Sequence, residues 1–88
     1  MDDKKDITLT INGDKIRFNV DTTAQEHLID ETRPDSKVAP MHRFLMRTVA
    51  PDSKDALKPL LENPSTVMII GNEVVTAYMP QLKITLGE

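Results

Sequence analysis

The side chains able to do chemistry are few and scattered. His27 and His42 are the only imidazoles, and there is no cysteine, so disulfides, thiolate metal sites and a cysteine nucleophile are excluded. With Glu26, Asp30 or Glu31 the two histidines could in principle hold a metal. They fall on different expected helices, however, and neither belongs to a His-x-x-x-His or His-Glu-x-x-His pattern. Solvated or capping histidine is the simpler reading. Ser36-Lys37 and Ser53-Lys54 each end a repeated Pro-Asp-Ser-Lys tetrapeptide. A Ser–Lys nucleophile needs further catalytic groups around it, and the sequence offers none nearby. A turn leading into a helix explains the repeat better: Pro sets φ, and Asp or Ser accepts hydrogen bonds from free helix amides. No carboxylate pair sits in an apolar setting that would raise one pKa for general-acid work. Gly13, Gly71 and Gly87 are isolated, so there is no phosphate-cradling loop. The expectation is no catalytic, cofactor-binding or metal-ligating residue, and no enzyme.

Binding remains. The 88 residues carry a net charge of −3, which argues against nucleic acid or an anionic membrane as the main partner. The balance is uneven: residues 33–50 hold Arg33, Lys37, Arg43 and Arg47 against Asp35 alone. The same stretch contains Phe44, Met41 and Met46. Arg43 and Arg47 are four apart, on one helical face, and Met46 lies beside them off the inward stripe. Arg and Met are enriched in the cores of protein interfaces, so Met41, Arg43, Met46 and Arg47 are the candidate protein-binding residues. A solvated face is the ordinary alternative.

These residues need elements to position them. Ile7, Leu9 and Ile11 alternate with threonines, and Ile16, Phe18 and Val20 with Arg17 and Asn19, around Asn12-Gly13; this is a β-hairpin pattern. Asp21, Thr22 and Thr23 offer N-caps, the threonines at capping-box spacing from Gln25 and Glu26. The helix they open runs to about Thr32, with Ala24, Leu28 and Ile29 inward, and Pro34 ends it. Pro40 suits the first turn of the next helix, in which Met41, Phe44, Leu45, Thr48 and Val49 form one stripe. Pro51 stops it. A short helix from Asp52 or Ser53 carries Ala56, Leu57, Leu60 and Leu61, and Pro59 predicts that it is kinked or split. Residues 65–79 fit a helix through Val67, Ile70, Gly71, Val74, Val75 and Tyr78, with Ser65 as cap; Gly71-Asn72 leaves a second hairpin as the rival. Leu82, Ile84 and Leu86 alternate as a final strand. The fold class is α+β in one domain over residues 1–88, with 1–5 frayed. The hairpin and the C-terminal strand form a three-stranded sheet, and three to four helices pack on one face. No apolar run reaches the ~20 residues that span a bilayer, and the charged N-terminus predicts no signal peptide.

The run Arg33-Pro34-Asp35-Ser36-Lys37-Val38-Ala39-Pro40-Met41-His42-Arg43-Phe44-Leu45-Met46-Arg47-Thr48-Val49 resembles the central signature of a family of small phage tail assembly chaperones. The opening Lys5-Asp6-Ile7-Thr8-Leu9-Thr10-Ile11, the leucine-rich stretch before Asn63-Pro64 and the closing Leu82-Lys83-Ile84-Thr85-Leu86 are similar to the family's as well. Pro59 departs from the family's unbroken helix, and Gly71-Asn72 from its Ala- and Leu-rich one. The resemblance implies a non-enzymatic chaperone of a phage or prophage. Such a protein binds the long helical tape-measure protein in the host cytoplasm, keeps it soluble while the tail-tube protein polymerises around it, and is absent from the finished virion. The tail-tube protein is a further partner it allows. Another small phage-encoded protein-binding module, or a nucleic-acid-binding regulator, is the alternative.

Overall fold

The computed structural model describes residues 4–79 and Gly87. Strands β1 (Lys5–Ile11) and β2 (Asp14–Val20) pair antiparallel, Ile11 opposite Asp14 and Lys5 opposite Val20. The turn between them needs positive φ at both positions, and Asn12 (52°) and Gly13 (88°) supply it. Alternation then sorts the faces. Ile7, Ile16, Phe18 and Val20 are buried, while Thr8, Thr10, Lys15, Arg17 and Asn19 face solvent. Among the described residues the sheet has two strands; the expected third, at Leu82, Ile84 and Leu86, lies outside them.

Helix α1 (Thr22–Glu31) is capped by Asp21, whose Oδ1 accepts the Ala24 amide at 2.8 Å. The cap is therefore not one of the threonines: Thr22 is already helical, and the Asp21 carboxylate, one residue earlier, holds the amide instead, worth about 1 kcal/mol. Ala24 and Leu28 turn inward, but Ile29 is 63% exposed, because one further residue rotates it about 100° off the buried stripe. Helix α2 (Val38–Thr48) buries Met41, Phe44, Leu45 and Thr48 as the periodicity predicts, and Val49 at its C-cap is also buried. Its N-cap, Lys37, makes no side-chain capping bond, so the preceding Asp35 and Ser36 do not serve as caps. Instead Arg33 and Ser36 exchange backbone N–H···O bonds at 3.1 Å and close a tight turn by themselves.

After α2 the chain continues as a 3-10 turn (Pro51–Ser53), a short helix α3 (Lys54–Leu57) and a second 3-10 turn (Lys58–Glu62). The split falls at Pro59, which has no N–H to extend α3. The tighter 3-10 pitch keeps Leu57 and Leu61 inside, leaves Leu60 half-buried and turns Ala56 outward. Helix α4 (Pro64–Tyr78) opens on Asn63, whose Oδ1 accepts the Ser65 amide at 2.9 Å, with Pro64 at the first helical position. Asn63, not Ser65, is the cap. Residues 65–78 are thus helical despite Gly71-Asn72. A Cβ on Gly71 would come within 2.3 Å of the Met41 Sδ, so glycine here admits the methionine of α2, and α2 packs against both α1 and α4.

Candidate protein-binding surface

The four residues singled out on α2 do not form one patch. Met41 is only 7% exposed and fills the space above Gly71; it holds α2 to α4. Arg43 reaches across to α1, its Nε donating to Glu31 Oε1 at 3.1 Å. Met46 is half-buried against the core, with part of its thioether side chain open to solvent. Arg47 is exposed and has no hydrogen-bond or ion-pair partner among the described residues. It borders a polar cleft with Asn19, Asp21 and Thr48, where α2 passes the end of β2. Met46 and Arg47, adjacent in sequence, together can offer an adaptable apolar contact beside an exposed cation.

Of the other groups with chemical potential, the second Ser–Lys pair is put to structural use. Ser53 is buried, and its Oγ accepts the Arg17 backbone amide at 3.0 Å, while the Arg17 guanidinium pairs with Asp52 Oδ2 at 2.9 Å. The second Ser–Lys neighbour pair is thus part of the seam between β2 and the chain after α2. That seam continues in Ala50, which donates to the Arg17 carbonyl at 2.8 Å, and in the bridge of Phe18 with Val49. Among the described residues no group of three or more His or acidic side chains is placed to hold a metal ion. No helix there is long and apolar enough to cross a membrane.

A second surface escaped the sequence reading. Beside the hairpin, Leu9 and Ile11 of β1, Leu60, and Ile69, Ile70 and Glu73 of α4 line an open groove. Ile69 is 65% exposed. A signal for it was present: α4 carries a single charge, Glu73, in 15 residues. A helix with a solvated outer face ordinarily has more.

Comparison with known proteins returns the same family from an independent direction. The sequence profile of a family described as phage tail assembly chaperone matches residues 7–88. The chain is also similar to an uncharacterized 11.3 kDa protein from the lys 3′ region of Haemophilus phage HP1 (strain HP1c1). The two are 25% identical over 83 residues, covering 94% of this chain and 81% of that one. No solved structure matches.

Proposed function

The chain belongs to the phage tail assembly chaperone family, and on that premise we propose that it binds the tape-measure protein during tail assembly, through contact alone and without catalysis. The family implies phage tail proteins as partners. A long helical protein waiting for its tube exposes apolar surface and aggregates unless something covers it. The setting is the cytoplasm of the infected or lysogenic host, where the tail-tube protein is also at hand.

The observation that carries the placement of the contact is the Met46–Arg47 pair. Met46 keeps part of a flexible thioether open next to an arginine with no partner among the described residues. An amphipathic helix with an acidic residue flanking its apolar stripe fits such a pair: the stripe meets Met46, and the carboxylate meets the Arg47 fork. Arg43 is less available, being tied to Glu31, and Met41 contributes from below by holding α2 in place.

Co-expression with the tape-measure gene of the same phage, followed by pull-down and sedimentation, tests the reading. The chaperone should keep tape-measure fragments in the soluble fraction and co-purify with them. Replacing Met46 and Arg47 together by alanine should weaken binding about tenfold or more, the effect of losing interface anchors, with the far-UV spectrum unchanged. A tape-measure protein equally insoluble with and without the chaperone would overturn the function. Unchanged affinity of the double variant would move the contact elsewhere.

A further inference from the structure

Helices α1 and α2 meet side by side, and their polar residues face each other in rungs. Glu31, the last residue of α1, accepts from Arg43 near the middle of α2. Farther along the pair, Thr23 and His27 of α1 line one open cleft of about 270 Å³ with Arg47 and Thr48 of α2. Moving back along α1 therefore means moving forward along α2, so the two helices run antiparallel. His27 precedes Glu31 by four residues, and Arg47 follows Arg43 by four. A step of four is close to one helical turn and keeps a side chain on the same face. The His27–Arg47 rung is thus the Glu31–Arg43 rung displaced by one turn, with an imidazole where the first has a carboxylate.

That replacement changes what the rung can bind. Glu31 is an acceptor and satisfies Arg43 from within the chain. An imidazole presents an N–H donor in every protonation state, and a guanidinium only donates. Two donors facing one cleft are matched by a group that accepts from both. Thr23 adds a hydroxyl to the same wall. Among the described residues that line this cleft the one carboxylate is Asp21, and its Oδ1 is engaged with the Ala24 amide as the cap of α1. In the adjoining cleft, which shares Arg47, Asp6 accepts from the Asn19 side chain, and Arg17 is paired with Asp52. His27 and Arg47 are both exposed, so an approaching side chain can reach them.

We infer that the crevice between α1 and α2 is a carboxylate-binding notch. An Asp or Glu side chain of the bound tape-measure segment enters it and accepts from Arg47 and His27 together, completing this rung as Glu31 completes the other. The assignment rests on the tape-measure contact proposed at Met46 and Arg47 and extends it. It adds His27 as a residue that selects for acidic partners, and it seats the partner's acidic residue between the two helices, not over the outer face of α2 alone.

The variant His27→Glu tests the geometry in the free chain and the contact in the bound one. In the free chain its carboxylate should reach Arg47 as Glu31 reaches Arg43. Its repulsion from Asp30 and Glu31 is the same whether or not Arg47 is present. His27→Glu should therefore shift the urea midpoint about 0.3 M more favourably in the parent than in the Arg47→Ala background. Equal shifts in the two backgrounds would mean that the side chains do not meet across the crevice, and would overturn the inference with no partner involved. In the complex, His27→Glu fills the notch from within and should weaken binding of a soluble tape-measure fragment about tenfold, as should Arg47→Ala. The two together should do no more than either alone, because both remove the same seat. His27→Lys keeps a donor and should hold affinity within about twofold. Fragment binding that His27→Glu leaves unchanged overturns the notch while the tape-measure contact stands. Effects of His27→Glu and Arg47→Ala that multiply point to repulsion at separate places and overturn it as well. A parent chain that binds no fragment overturns the tape-measure reading, and the proposed occupant with it, a result separate from either of those.

Discussion

The tetrapeptide Pro-Asp-Ser-Lys occurs twice, at 34–37 and 51–54, and the two copies do different work. In the first, Asp35 and Ser36 are exposed, and the turn is closed by backbone bonds between Arg33 and Ser36. Neither side chain is needed for that closure. In the second, Ser53 is buried under β2 and accepts the Arg17 amide, and Asp52 pairs with the Arg17 side chain. The local chemistry is identical. What differs is the neighbour: the second copy lies against a strand edge whose outward N–H requires an acceptor, and the first lies against water. A short polar sequence therefore specifies a turn, but its partners are set by what the rest of the chain brings to it.

The contrast is sharpest at serine. Ser53→Ala should cost about 1–2 kcal/mol in urea unfolding, because the Arg17 amide is left without its acceptor in a partly buried site. Next in size is the Arg17–Asp52 pair. Both side chains are more than half exposed, so solvent screening limits a double-mutant cycle between Arg17→Ala and Asp52→Ala to a coupling of about 0.2–1 kcal/mol, shrinking further at 1 M salt. Smallest is Ser36→Ala, which should stay within about 0.5 kcal/mol of the parent, as exposed substitutions do. A Ser36→Ala penalty equal to that of Ser53→Ala would erase the distinction. A Ser53→Ala variant as stable as the parent would show that water replaces the hydroxyl, and that the two turns are energetically alike.

The same division runs through the whole molecule. The hairpin was legible because positive φ at two positions selects Asn12-Gly13 and because alternation admits one buried face. The stripe of α2 was legible because five apolar or small residues at helical spacing leave one way to bury them. Pro59 announced the break after α3. The caps were harder to read. Asp21, Thr22 and Thr23 all have suitable side chains, and Ser65 competes with Asn63; which one accepts depends on where the chain leaves the preceding element. Ile29 was misplaced because a helical wheel does not state how wide the covering neighbour is. At the candidate surface, the sequence marked α2 as basic and Met-bearing but could not separate Met41, which is buried over Gly71, from Met46, which is partly open. It gave Arg43 and Arg47 equal weight, whereas Glu31, 12 residues away from Arg43 in the chain, engages only the first.

By itself, then, the order of amino acids determined the hairpin, the helices and most of their inward-facing residues, the lack of cysteine chemistry and the family to which the chain is similar. Those depend on local backbone preference and on the period of apolar residues, both written within a few positions of each other. Only the tertiary structure decided that Glu31 engages Arg43 and not Arg47, which methionine is spent on packing and which serine is buried. Each of these is a contest for one partner among groups distant in the chain, and its outcome depends on which groups the packed core brings within hydrogen-bonding distance.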